Sequence, residues 1–328
     1  MKQQIRLGLV GTGRIAQRFT ADAPLVKQIK ICSVYNPHCS SAERFAKRHG
    51  IPFWTDSWNL FISDIDAVYI ASPHETHAAY AKMLLEKGIH VLCEKPMAFC
   101  RQDVDKLFAL AKSRNCILME AIKTAYSPGY QALVKMAQSG RIGRICDVEA
   151  CFTKLENPDH RELTDLDYGG SLTELGSYVF LPIVMLLGNR YKKISFFSIK
   201  APNGLDIYTK CMLEYEDAMA LGKVGLGVKS EGQLVIAGTK GYILAESPWW
   251  LTKKFEVRYE NPAHREVYTY PFEESGLQYE LAAFAQAVSG NQDDLPEHGV
   301  LKAPDIRLAG EYSAAIAEII AEYRRSNA

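Results

Sequence analysis

GLVGTGRIAQRF, residues 8–19, joins the end of an apolar run to the start of a helical pattern through a cluster of small residues. Gly11, Gly13 and Ala16 stand in G-x-G-x-x-A spacing. Gly11 permits a tight turn, Gly13 lets the backbone approach a pyrophosphate, and Ala16 lets helix and strand pack closely. The helix then presents free N–H groups and the positive end of its dipole to an anion. The pattern alone is weak, because glycine is common. Its placement gives it weight, since it follows a strand expected at 5–10 and opens a helix expected at 14–21. The competing reading is a plain strand–helix turn. On the dinucleotide reading, Gly11, Thr12, Gly13, Arg14 and Ile15 line the phosphates.

Outward from this turn, residues 1–122 alternate short apolar runs with helical patterns. Strands are expected at 5–10, 29–35, 67–71, 90–93 and 116–119, mostly apolar at every position, as in a parallel sheet covered on both faces. Helices are expected at 14–21, 41–49, 76–87 and 101–113. This alternation argues for an α/β, doubly wound (Rossmann) domain over 1–122. Beyond it, strand-like runs at 144–154, 193–200, 207–215, 218–226, 233–237 and 255–259 follow one another with few helices. We therefore expect residues 123–328 to form an α+β domain with a mainly antiparallel sheet for substrate and oligomerisation. Helices are expected at 130–138, 171–187, 277–288 and 306–324, the last packing back on the first domain.

The 328 residues carry 38 basic and 38 acidic side chains, so nothing marks a nucleic-acid or membrane partner. The 48% apolar content suffices for two medium cores. The start runs straight into a strand and shows no signal peptide. The apolar run 179–187 contains Pro182 and is too short to span a bilayer. Eight cysteines lack C-x-x-C spacing and read as reduced, structural thiols, which points to the cytoplasm.

Ligands of a doubly wound sheet sit beyond the carboxyl ends of its strands. Three short stretches fall there: Asn36-Pro37-His38, Ser72-Pro73-His74 and Glu94-Lys95-Pro96. An acid that grips a ribose 2′-OH usually ends the second strand. Asn36 holds that place and repels no 2′-phosphate, while His38 and Arg14 offer phosphate partners. NAD and NADP both remain open, with a lean to NADP.

With these residues in view, the chain resembles the glucose–fructose oxidoreductase / inositol dehydrogenase-like (Gfo/Idh/MocA) family over nearly its whole length. The marks are GTGRIA, ASPHETHAAYAKMLLEKGIHVLCEKPMA, MEAIKTAYSP (119–128), SGRIGRI (139–145) and GGSLTELGSY (169–178). The resemblance implies an NAD(P)-dependent oxidoreductase acting on a secondary alcohol or ketone of a sugar, polyol, inositol or related small molecule. It also implies a homodimer or homotetramer built through an open second-domain sheet. By the same resemblance Lys95 is the catalytic-site lysine, Glu94 and Pro96 complete its motif, and Pro73 lies under the nicotinamide. Tyr178 falls where many members have a catalytic histidine, and Glu174 where they have aspartate. Tyr126 falls on the substrate side, in a segment that often reads Arg-Phe and here reads Ala125-Tyr126. The expected chemistry has Lys95 and Tyr178 at the substrate hydroxyl, with Tyr178 needing a nearby ammonium to act as a base. Two rivals remain: a glycoside-cleaving enzyme using transient NAD redox, and a non-catalytic dinucleotide and sugar sensor.

Each candidate has a plainer reading. Lys95 could be a solvated surface lysine, and Tyr178 a core tyrosine. Ser171-Leu172-Thr173-Glu174 fits a capping box, which would account for Glu174 without catalysis. His74-Glu75-Thr76-His77 lacks the H-E-x-x-H spacing of a zinc site, so no metal is expected. His160-Arg161 reads as an exposed loop, and Trp249-Trp250 with Tyr242 as core or subunit interface.

Overall fold

A computed structural model of the chain describes residues 4–290 and 306–326. It divides into two compact units, Met1–Tyr126 with Glu273–Ala317, and Ser127–Phe272 with Glu318–Ala328.

The first unit is built on β1 (Ile5–Val10), β2 (Ile29–Tyr35), β3 (Phe53–Thr55), β4 (Ala67–Ile70), β5 (His90–Glu94) and β6 (Leu118–Ala121), all parallel, in the order β3-β2-β1-β4-β5-β6. The order reverses between β1 and β4, which is the switch point where α/β sheets bind ligands. Every residue of β4 and β6 is buried, β4 being apolar throughout and β6 apolar but for Glu120. One face packs Leu7, Leu9, Phe19, Tyr69 and Leu92; the other packs Val10, Ile70, Leu84, Val91 and Cys93. Each buried Leu or Phe contributes about 1.5–3 kcal/mol relative to exposure. The stretches 273–290 and 306–317, expected in the second body, group with the first. The helix Leu277–Ser289 explains this: its Leu281 and Phe284 lie in the core that holds Phe19 and Leu92. β3 escaped the sequence reading because its three residues, Phe53 exposed, Trp54 half-buried and Thr55 buried, are too few to show a periodicity.

The second unit holds β7 (Ile145–Thr153), β8 (Lys193–Lys200), β9 (Asp206–Glu214), β10 (Met219–Gly225), β11 (Leu234–Gly238), β12 (Tyr242–Ala245), β13 (Lys254–Arg258) and β14 (Arg265–Thr269). They form one sheet in the order β14-β13-β12-β11-β7-β10-β9-β8. β7 and β10 pair in parallel and the other neighbours antiparallel. The helix Ser171–Leu187 covers one face; a Cβ on Gly222 would meet Phe180 and Val179 at 3.1 and 3.2 Å. The opposite face is open and carries Phe197, 63% exposed, and Met219, 56% exposed, with Ile199 and Met212. β12 and the edge strand β14 were not read from the sequence, the first being four residues long and the second, REVYT, mostly polar. Among the described residues no helix is long and apolar enough to cross a membrane.

Candidate active site

In the first unit the ends of β1, β4 and β5 lie level, since Val10 pairs with Ile70 and Ile70 with Cys93. The residues that follow, Gly11, Ser72 and Lys95, therefore share one rim. Gly11 has φ +102°, and a Cβ there would stand 2.5 Å from the Ala71 carbonyl oxygen. Its N–H donates to the Tyr35 carbonyl at 3.0 Å, which ties the turn to the end of β2. The fold itself requires this glycine. Gly13 differs, because an added Cβ would meet nothing within 4 Å. Gly13 starts the helix Arg14–Asp22, whose first turn has no side-chain cap and no acid. Open space above uncapped N–H groups is what a pyrophosphate needs, so the residues fit a dinucleotide.

Asn36 at the end of β2 donates from Nδ2 to the Thr12 hydroxyl at 2.9 Å and accepts at Oδ1 from the His38 N–H at 2.9 Å. It fastens the second strand to the phosphate turn and brings no negative charge. Arg14 and His38 are exposed beside it, and Ile15 is half-buried. Beyond β4, the Ser72 and Thr76 hydroxyls are 2.7 Å apart, Pro73 is exposed and His74 half-buried.

The Glu94-Lys95-Pro96 turn is held from below by three buried polar side chains. Glu94 accepts the Tyr69 hydroxyl at 2.5 Å and the Lys95 N–H at 3.2 Å. Glu120 accepts the Met97 N–H at 2.7 Å. His77 lies 2.9 Å from the Pro96 carbonyl oxygen and 2.9 Å from that of Ser72. The Lys95–Pro96 bond is cis. Glu94 is thus a backbone clamp, and burial raises its pKa against the opposing charge of Lys95. Lys95 alone of the trio is half-buried, at the rim.

Deeper still, Glu280 from the helix Leu277–Ser289 is fully buried, and neither of its oxygens has a hydrogen-bond partner among the described residues. Burial and then the Glu94 charge push its pKa well up, while Lys123 opposes. The Lys123 ammonium donates to the Ser275 carbonyl at 2.5 Å. A carboxylate so placed carries a proton, because a buried charge without donors is prohibitive. The folded chain therefore holds a proton that the unfolded chain releases above pH ~4.3. Stability on this account is complete below that value and falls as pH rises toward the folded pKa. Glu280→Gln should remove the decline, so that its thermal midpoint gains on wild type from about pH 5 to 8. Parallel midpoints across that range would contradict a protonated Glu280. The sequence signal was available: Leu277, Glu280, Leu281 and Phe284 form one apolar stripe with an acid in it.

Tyr126 belongs to the first unit as core, not as exposed pocket wall. It is 3% exposed, and its hydroxyl donates to the Glu120 carbonyl at 3.3 Å. Burial raises its pKa.

In the second unit, Glu174 and Tyr178 are the only half-buried residues between Ser171 and Val184 of an otherwise buried helix, one turn apart on a single open face. The capping box does not form. The helix starts at Ser171 with Gly170 as cap; the Ser171 hydroxyl donates to the Asp206 carbonyl at 3.0 Å, and the Leu172 N–H donates to the Asp206 carboxylate at 3.0 Å. A side chain distant in sequence, Asp206, takes the place of a local N-cap side chain. Phe152 meets the Tyr178 ring edge-on at 5.1 Å and stacks on Trp250 at 3.6 Å. Trp250 therefore lines an aromatic wall beside Tyr178, whereas Trp249 is core, its indole N–H donating to the Cys151 carbonyl at 2.8 Å. His160 bonds Glu156 at 2.8 Å, and Glu162 joins them in a cluster of ligand-type atoms within 4.8 Å. Lys154 already holds the other Glu156 oxygen at 2.5 Å.

Comparison with known proteins finds matches for both units. A profile described as oxidoreductase family, NAD-binding Rossmann fold, covers residues 5–122, and the GFO/IDH/MocA C-terminal domain covers 130–244. The chain is 29% identical over 337 residues to a trans-1,2-dihydrobenzene-1,2-diol dehydrogenase of Sus scrofa, spanning 98% of this chain and 96% of the relative. It is 27% identical over 306 residues to scyllo-inositol 2-dehydrogenase (NADP(+)) IolU of Bacillus subtilis (strain 168), spanning 90% and 91%. Among solved structures, a levoglucosan dehydrogenase in complex with NADH and levoglucosan aligns with TM-score 0.81 at 18% identity over 99% of this chain and 98% of that one. KijD10, a 3-ketoreductase from Actinomadura kijaniata in complex with NADP and TDP-benzene, aligns with TM-score 0.80 at 23% identity over 98% of both.

Proposed function

This chain belongs to the GFO/IDH/MocA oxidoreductase family, and from that membership we propose that it interconverts a secondary alcohol and a ketone on a cyclic polyol, sugar or diol, with NADP preferred. The observation that carries the reading is the shared rim of the first unit: half-buried Lys95 stands level with a phosphate turn whose Gly13 is left open. When bound, the nicotinamide supplies the hydride acceptor or donor. Lys95 bonds the substrate oxygen and stabilises negative charge developing on it. In the second unit, Glu174 and Tyr178, one helical turn apart, supply a carboxylate and a phenol suited to proton exchange. Trp250 and Phe152 offer an apolar wall suited to a ring.

The NADP preference rests on Asn36. Asn36→Asp keeps an acceptor for the His38 N–H but sets a negative charge where a 2′-phosphate would lie. The ratio of kcat/KM for NADP over NAD should fall about tenfold or more; an unchanged ratio would remove Asn36 from cofactor choice. The activity is tested by offering inositols, pyranoses and cyclic diols with NADP or NAD and following reduced-nicotinamide absorbance. Oxidation of members of one ring class supports the reading. Dinucleotide binding with no absorbance change on any substrate would overturn it, as would turnover that needs no added dinucleotide.

The open sheet face with Phe197, Ile199, Met212 and Met219 supports a homodimer or homotetramer formed through that face. Eight free thiols support a cytoplasmic location.

A further inference from the structure

His77 is fully buried below the rim, and both of its ring nitrogens face backbone carbonyl oxygens. Nδ1 is 2.9 Å from Pro96 O and Nε2 is 2.9 Å from Ser72 O. A carbonyl oxygen only accepts, and a neutral imidazole carries a single N–H. The neutral ring therefore holds one of the two carbonyls and turns a lone pair toward the other. The imidazolium holds both. These carbonyls belong to the turn expected under the nicotinamide and the turn that carries Lys95. The ring itself is anchored, because His77 opens the helix His77–Glu86.

We propose that His77 is a positioning residue for the alcohol–ketone reaction, a proton-operated tie that fastens one turn when neutral and joins both turns when charged. This rests on Lys95 acting at the reacting carbon. Charged groups around the ring pull both ways: Lys95 disfavours the added proton and Glu75 favours it. Glu94 and Glu120 hold the same turn through the Lys95 and Met97 N–H groups. Burial, the largest influence, keeps the ring below its ordinary pKa of 6.5, so the single-tie state prevails at neutrality and the second tie closes on acidification. The sign for global stability is opposite. A depressed histidine pKa means the folded chain resists a proton that the unfolded chain accepts below about 6.5, so this site contributes less stability as pH falls.

Two conservative replacements separate the ends. An asparagine amide nitrogen occupies the place of Nδ1 and reaches only Pro96; a glutamine amide nitrogen occupies the place of Nε2 and reaches only Ser72. Both variants are compared with wild type at a pH low enough for its ring to hold both carbonyls. There His77→Gln should lower kcat about 10- to 100-fold, through a displaced Lys95, with dinucleotide Kd within about threefold of wild type. His77→Asn should weaken dinucleotide binding about tenfold and spare kcat more. The second measurement uses the wild-type enzyme: ¹⁵N spectra of labelled histidine should show His77 with one protonated nitrogen at neutrality and two once the solution is well below the ordinary histidine pKa of ~6.5. Variants that match wild type within twofold in both constants would overturn the proposal. So would a ring that stays singly protonated throughout, a result available even if neither variant folds. The ring titration is independent of turnover. Should Lys95→Met retain activity while His77 still gains its second proton, the role of Lys95 fails and the tie stands.

Discussion

Lys95→Met should lower kcat by about 10²–10⁴ while dinucleotide Kd stays within a few-fold of wild type. The substitution leaves in place the main-chain ties that hold the turn: the Lys95 N–H is fixed by Glu94, and the turn is further pinned at Pro96 and Met97. Methionine has similar length and keeps the aliphatic packing. What is lost is the ammonium at the end of β5, the charge assigned to the substrate oxygen. Tyr178→Phe removes a single hydroxyl and keeps the ring against Phe152. If both groups act on one hydroxyl, the double variant should lose far less than the product of the single losses. Turnover numbers under saturating dinucleotide, with Kd from nicotinamide fluorescence, make the comparison. Wild-type turnover in Lys95→Met would take the lysine out of the reaction, and multiplicative losses would mean that the two side chains act independently.

Gly11→Ala should destabilise the fold by about 3 kcal/mol and abolish dinucleotide binding with it. Two costs combine. An L side chain at φ +102° is strained by roughly 1–3 kcal/mol. Its Cβ would also press on Ala71 backbone, at 2.5 Å from the oxygen and 2.8 Å from the carbonyl carbon, atoms that no rotamer change can move. Relief requires β1 and β4 to separate at their carboxyl ends. Gly13→Ala is the contrast, since its Cβ meets no protein atom within 4 Å. Its urea midpoint should match wild type, and its dinucleotide affinity should fall about tenfold, because the methyl occupies space reserved for phosphate. Equal dinucleotide affinity in Gly13→Ala would mean that the phosphates do not approach this glycine.

One spacing assigned Gly11 to a turn and Gly13 to a phosphate, and the coordinates add the physical distinction: a Cβ on Gly11 would meet Ala71 backbone, and one on Gly13 nothing within 4 Å. The same division runs through the site. Glu94 was read as completing the motif of Lys95, and its neighbours show a buried side chain that accepts the Tyr69 hydroxyl and the Lys95 N–H. Ser171 to Glu174 matched a capping motif in every letter. Asp206, 32 or more residues away along the chain, took the cap because a buried carboxylate that also receives the Thr209 hydroxyl outcompetes a local one. Tyr126 was matched by position in a motif and turned out to be core, since motif position carries no burial.

The sequence by itself determined the parallel sheet, the phosphate turn, the absence of an acid after β2, and the lysine at the end of β5. All of these are local. Periodicity, glycine placement and strand-end position act within a few residues, so the one-dimensional order contains them. Tertiary structure alone decided that the helix Leu277–Ser289 joins the first core, that Glu280 has no hydrogen-bond partner among the described residues, and that His77 faces two carbonyls at once. Those facts depend on which distant segments share a dry interior. There a polar atom's state is set by neighbours that may be two hundred residues away in the chain, and no spacing rule records them.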